Sequence, residues 1–258
     1  MFHELLRINK GSQLIRIVPN DLKKTFKSEY IFKDNIIQQV FEFSYEMSYG
    51  KGFHRDRRSG GILHRKSSEV FANTFQGKLA ECAVYNLFYR FKNKTEIDFD
   101  IHGKGIWDDA DLIVNNKAVS IKSSKFFSQL FLLETSDWDE QGRYLPNINL
   151  GRVLSNYFIF VRIKPSIVDL LKQNRLLYSN FVAKNDLDKL IFSEDWVYEI
   201  SGYLTKDDLV EVIHSNHIIH QGEYLNTIYT KMDADNYYVL LHDLRNIGDL
   251  LEELRQYE

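Results

Sequence analysis

Apolar residues recur at spacings of three and four between Asp21 and Met47, where Ile36, Val40, Phe43 and Met47 share one helical face, and the segment stops near Gly50. A second helix is predicted from Ser68 to Phe91. Phe75, Leu79, Cys82, Ala83, Leu87 and Phe91 lie on one side of it, and Val84, Tyr85 and Phe88 make the opposite side apolar as well. A helix that is apolar all round is a buried one, so Glu81 needs a cation or a hydrogen-bond donor beside it. Downstream the pattern turns β-rich. "TEIDFDIHG" reads as a strand, "DDADLIVNNKAVSIKSSK" (Asp108 to Lys125) as a hairpin turning at Asn115-Asn116, and "QLFLLE", "NYFIFVRIK" and "WVYEISGYL" as further strands. "TKDDLVEVIHS" opens like a capped helix, and "NYYVLLHDLRNIGDLLEELRQ" predicts a last strand and a C-terminal helix. Strands separated by helices give the expected fold class, α/β with a central mixed β-sheet flanked by helices.

Composition narrows the class. With 44% hydrophobic and 27% charged residues and only three prolines, 258 residues fit one globular domain with few linkers. Cys82 is the one cysteine, which excludes an intrachain disulfide framework and a Cys-based zinc cluster; its place on the apolar face makes it packing. No run approaches the roughly 18 apolar residues of a membrane span, and charge interrupts the N-terminal stretch, so a reducing cytoplasm and no membrane partner are expected.

The net charge of -3 gives no overall attraction to nucleic acid, but its distribution does. "KGFHRDRRSGGILHRK", Lys51 to Lys66, holds six Lys/Arg residues and two histidines against the single acid Asp56, while acids near the C-terminus mask it in the total. Gly50, Gly52, Gly60 and Gly61 make it an irregular surface loop. It is either a solvated loop or a DNA contact in which Lys51, His54, Arg55, Arg57, Arg58, Arg65 and Lys66 face backbone phosphates. Its position shortly before the Glu81 helix favours contact.

The hairpin raises a sharper question. A two-residue turn at Asn115-Asn116 sets Asp111 opposite Ser120. Alternation then puts Asp111, Ser120 and Lys122 on one side of the sheet and Leu112, Val114, Val119 and Ile121 on the other; a three-residue loop would reverse this parity. An acid and a lysine on one face are either a cross-strand ion pair, worth little when exposed, or a reactive pair. With Glu81 on a buried helix just before this sheet, two carboxylates and an ammonium are expected to converge. Carboxylates suit Mg²⁺ together with waters and a substrate phosphate, and a lysine beside the metal orients or deprotonates the attacking water.

Asp111, the tripeptide "SIK" ending in Lys122, and Glu81 in "QGKLAECAVYNLF" together resemble the PD-(D/E)xK nuclease superfamily, the fold of many type II restriction endonucleases, over Gln76 to Lys125. In that family a strand begins with a metal-binding Asp, the next strand carries an acid-x-lysine motif, and a preceding helix often adds a Glu. The resemblance implies a restriction-endonuclease-like core with Asp111 and Glu81 as Mg²⁺ ligands, Lys122 as the catalytic lysine, double-stranded DNA as substrate and a homodimer for double-strand cleavage. Two positions depart from the motif: Ala110 stands for its proline and Ser120 for its second acid. Glu81 is the preferred replacement acid; Glu134 is the other candidate, and Asp108 and Asp109 are more readily turn residues. A site that has lost activity is the third reading of Ser120. Ser123, Ser124 and Lys125 follow the motif, either donating to phosphate or forming a solvated strand end.

Within one nuclease domain spanning 1–258, residues 1–67 would carry the first helix and the basic loop, 68–165 the catalytic core, and 166–258 the remaining sheet with recognition or dimer surfaces. "HSNHIIH" spaces His214, His217 and His220 three apart, too far around one helix axis for a tetrahedral zinc site. His102 reads as a loop residue. The 15 tyrosines and 18 phenylalanines are mostly core by spacing, with Tyr144, Tyr203 and Asn236 as candidate surface contacts.

Overall fold

Seven successive buried residues, Tyr157 to Ile163, leave no side of their strand open to solvent. They form the middle of a five-stranded mixed sheet. The computed structural model describes residues 2–50, 66–91, 95, 97, 111–149, 151, 154–226 and 230–255. In chain order the elements are β1 (Leu6–Lys10), β2 (Gln13–Ile17), β3 (Tyr30–Ile31), α1 (Asp34–Tyr49), α2 (Ser67–Arg90), β4 (Leu112–Val114), β5 (Lys117–Lys125), β6 (Leu130–Glu134), α3 (Leu145–Asn149), β7 (Tyr157–Lys164), α4 (Ile167–Gln173), α5 (Lys184–Phe192), β8 (Val197–Thr205), α6 (Lys206–His214), β9 (Ile218–Ile219), β10 (Tyr224–Leu225), β11 (Asn236–Leu240) and α7 (Ile247–Arg255).

The main sheet runs β3-β8-β7-β5-β4, with β5 and β7 parallel and the other pairs antiparallel. A second sheet runs β6-β11-β9, and a third joins β1, β2 and β10. The fold is therefore a mixed α/β one. Alternation divides the main sheet into two faces. Leu112, Val114, Val119, Ile121, Ile159, Val161 and Ile163 meet α1 and α2 in one core cluster, where Phe71, Phe75 and Phe88 are fully buried. Each such phenylalanine contributes about 2 kcal/mol of transfer free energy on burial. On the other face, Phe158, Phe160 and Leu204 meet Phe131 and Leu133 of the second sheet and Leu209 and Val212 of α6.

Most predicted elements stand. α2 is buried nearly all round, α6 opens on a capping box between Thr205 and Asp208, and β11 leads to α7. The first helix differs from the expectation, because it begins at Asp34 instead of Asp21. The backbone before it is committed elsewhere. The carbonyls of Lys24 and Thr25 accept from the buried Arg162 guanidinium, the Lys27 N–H donates to Glu199, and Tyr30 and Ile31 pair with β8. Such groups cannot also close helical turns. β1, β2, α4 and α5 were not expected at all. The strand expected over "TEIDFDIHG" lies outside the described residues except for Thr95 and Ile97, which are not in a strand.

Candidate active site

The hairpin closes as its residues demand. Asn115 (φ +47°) and Asn116 (φ +62°) both occupy the left-handed region that asparagine tolerates, as a type I′ turn requires. Leu112 pairs with Val119, Ile113 with Ala118 and Val114 with Lys117, so Asp111 stands opposite Ser120. Asn115 Nδ2 also donates to the Leu254 carbonyl in the last turn of α7, at 2.9 Å.

Asp111 finishes the ladder with its side chain. Its Oδ2 accepts from the Ile121 N–H at 2.5 Å and from the Ser120 hydroxyl at 3.2 Å, just before β4 begins at Leu112. Both contacts involve Oδ2; Oδ1 takes no hydrogen bond from the described residues. Lys122, two residues along β5, points to the same side and lies beside Phe160 of β7. It is half-buried, and none of the described residues forms a hydrogen bond or ion pair with its ammonium. Phe158, the neighbour of Ser120 in register, carries Trp138 against it with ring centroids 5.4 Å apart, and Tyr144 stands 5.2 Å beyond that indole.

Glu81 belongs to the other side of the sheet. Its helix covers the Val119 and Ile121 face, as the 3.3 Å contact from Gln76 Nε2 to Ser123 Oγ marks. The expected cation for Glu81 is Lys78, one turn earlier, whose ammonium lies 2.5 Å from Oε2 and 4.9 Å from the centre of the Phe43 ring. Burial, and after it the Glu81 charge, pushes the neighbouring Cys82 thiol up to about 12. Glu134 ends β6 opposite Asn236, on the side of Leu130 and Leu132, which is turned away from Phe131 and Leu133.

The hairpin thus brings Asp111, Ser120 and Lys122 together and leaves Glu81 and Glu134 on other faces. Ser123 holds Gln76, Ser124 Oγ donates to the Lys125 carbonyl, and Lys125 pairs with Asp169 of α4 at 2.8 Å. Lys66 precedes α2, where its N–H donates to Glu69. Lys51, His54, Arg55, Arg57, Arg58 and Arg65 lie outside the described residues, as do His102, Asp108 and Asp109. His214 ends α6, His217 is buried, and His220 stands 3.4 Å from Asp235. Tyr203 is buried, and Asn236 is half-buried in β11.

Sequence reasoning passed over two features. Arg162, fully buried, and Glu199, buried beside it, form an ion pair at 2.7 Å on the Lys122 side of the sheet; the signal was a lone arginine in the apolar run "YFIFVRIK". Among the described residues, a three-group cluster with metal-ligand chemistry occurs away from the hairpin, at His3, His242 and Asp243. Comparison with family models, with curated proteins and with solved structures finds no match.

Proposed function

We propose that the chain is a Mg²⁺-dependent endonuclease hydrolysing phosphodiester bonds of double-stranded DNA, of the type II restriction kind, acting as a homodimer. The observation that carries the reading is the common face of Asp111 and Lys122 on a hairpin whose register the Asn115-Asn116 turn sets. The donor set fits Mg²⁺, which takes one or two carboxylates and completes its shell with waters and substrate phosphate. Asp111 would hold it through Oδ1, with waters and substrate phosphate filling the places that Glu81 and Glu134, on other faces, do not reach, and the ion would supply charge neutralisation at the scissile phosphate. Lys122, as the neutral amine, takes the proton of the attacking water and, as the ammonium so formed, faces the charge that grows on the phosphoryl oxygens. Ser120 fixes the Asp111 rotamer. The segment from Lys51 to Lys66 binds the DNA backbone, with Ser123, Ser124 and Lys125 at the end of β5 as further contacts.

A second reading, a DNA-binding module without cleavage, is favoured by one observation. Both Asp111 Oδ2 and Glu81 Oε2 already have donors within the protein. Digestion of methylation-free phage DNA with purified protein and Mg²⁺ separates the readings. Discrete fragments that disappear in Lys122→Ala support restriction. Cutting confined to branched or ended substrates replaces it with a recombination or repair nuclease of the same superfamily. Wild type and Lys122→Ala equally inert with Mg²⁺ and Mn²⁺ leave the binding module.

A further inference from the structure

We propose that His3, His242 and Asp243 form a binding site for one divalent transition-metal ion of the zinc class, independent of the hairpin. Each residue offers one ligand atom, and the three atoms lie within 4.8 Å of one another. His3 Nδ1 is 2.5 Å from Asp243 Oδ1, and His242 Nδ1 is 3.2 Å from the same oxygen, with the two rings perpendicular and their centroids 5.1 Å apart. Two imidazoles therefore turn the same type of nitrogen onto one carboxylate oxygen. The other oxygen, Oδ2, accepts from the His3 backbone N–H at 2.8 Å, an outer contact that orients the carboxylate as such contacts orient metal ligands.

Exposure divides the cluster usefully. The Asp243 side chain is 4% exposed and set in the short turn after β11, whereas the His3 and His242 rings are 50% and 44% exposed. The anion is fixed and the two nitrogens can adjust. Zinc bonds of about 2.0–2.2 Å place neighbouring ligands roughly 3.3 Å apart, so His3 draws back by less than about 1 Å. Three protein ligands with an open, solvent-facing side leave room for water as the fourth. Imidazole nitrogen selects Zn²⁺, Co²⁺, Ni²⁺ or Cu²⁺ over Mg²⁺ and Ca²⁺, so this ion differs from the one proposed at Asp111. Its effect is to join residue 3 to residues 242 and 243 and so to clamp the N-terminal segment onto the turn between β11 and α7.

The test uses the tag-free full chain, treated with EDTA, desalted and titrated with Co²⁺ and then Zn²⁺. One Co²⁺ per chain with visible ligand-field bands, displaced by one equivalent of Zn²⁺, is the expected result. The Tm should rise by about 5 °C or more at about 100 times Kd. His3→Ala and His242→Ala, both at half-exposed rings, should each weaken binding at least about ten-fold, and Lys122→Ala should leave it unchanged. No Co²⁺ spectrum, a Tm equal in EDTA and Zn²⁺, or binding undiminished in both histidine variants overturns the site and leaves a hydrogen-bonded clamp.

Discussion

Ser120 donates its hydroxyl to Asp111 Oδ2 at 3.2 Å, across the hairpin and at the position where the resembled motif carries its second acid. The serine therefore steadies the first acid from the place where an acid would share its metal. Beside that serine stand one carboxylate whose Oδ1 takes no hydrogen bond from the described residues and one ammonium that no described residue engages by hydrogen bond or ion pair.

Lys122→Ala removes an ammonium without breaking a hydrogen bond or ion pair to any described residue. DNA cleavage should fall by at least about a hundred-fold, as loss of a general base or acid does, while the unfolding free energy from urea denaturation stays within about 0.5 kcal/mol of wild type. Cleavage assays and urea denaturation on the same preparation check both halves.

Asp111→Asn and Asp111→Ala should separate support from chemistry. The amide keeps an acceptor for the Ile121 N–H, whereas alanine leaves it bare, at a cost of about 1–3 kcal/mol. Both should lose cleavage, and only the alanine variant should lose stability in urea. Equal stability of the two would remove the structural role given to Oδ2.

Gly202 has φ +142°, and a Cβ there would stand 2.6 Å from the Arg245 carbonyl oxygen and 2.8 Å from Leu244 Cβ. Gly202→Ala adds backbone strain to overpacking. A loss of about 3 kcal/mol is expected in urea unfolding. The β-bulge beside it, at Phe160 and Val161, is where β7 and β8 lose register.

Cys82 provides an alkaline signature. Burial first, then the Glu81 charge, raises its thiol to about 12. A folded-state value above the unfolded one, about 8.5, gives stability that is complete below pH 8 and declines as the pH climbs toward the folded value. The native thiol should resist iodoacetamide at pH 8 and react once urea unfolds the chain. Because no other cysteine is present, alkylation counts the opening of α2 directly.

Asp208 sets an acid limit. Burial pushes its carboxyl up, but hydrogen bonds from Arg245 and from the backbone and hydroxyl of Thr205 outweigh it and hold the group below the usual carboxylate range. That contribution is complete above the unfolded value, about 3.9, and disappears as the pH falls through the folded one. Arg245→Met should therefore move the acid-unfolding midpoint to higher pH, as circular dichroism can follow. The arginine is half exposed, so the effect at neutral pH is small.

How much of this was readable from the residues depended on the range of the cause. Asn115-Asn116, the Thr205 cap and the branched runs of β6, β7 and β8 act within a few positions, and each appears as predicted. The Lys78 partner of Glu81 was also local, one turn away on the same helix. The segment before Asp34 was misread because its backbone answers to Arg162 and Glu199, more than a hundred residues on. β1 was missed although Leu6, Arg7, Ile8 and Asn9 alternate in character, a run too short to stand out, and the strand buries none of its five residues. Parity put Asp111, Ser120 and Lys122 on one face, but which face α2 covers depends on how the chain crosses the sheet. His3, His242 and Asp243 meet from opposite ends of the chain, and no spacing rule reaches that far.

The Asn115 amide on the Leu254 carbonyl makes the last helix part of the hairpin's mounting. Tyr157, whose strand adjoins β5, makes a second fastening by donating to Glu253 at 2.5 Å. Whatever displaces α7, whether a bound partner or a shortened C-terminus, tilts the tip from which the register of Asp111 and Lys122 is measured. α7 thus braces the proposed chemistry without contributing an atom to it.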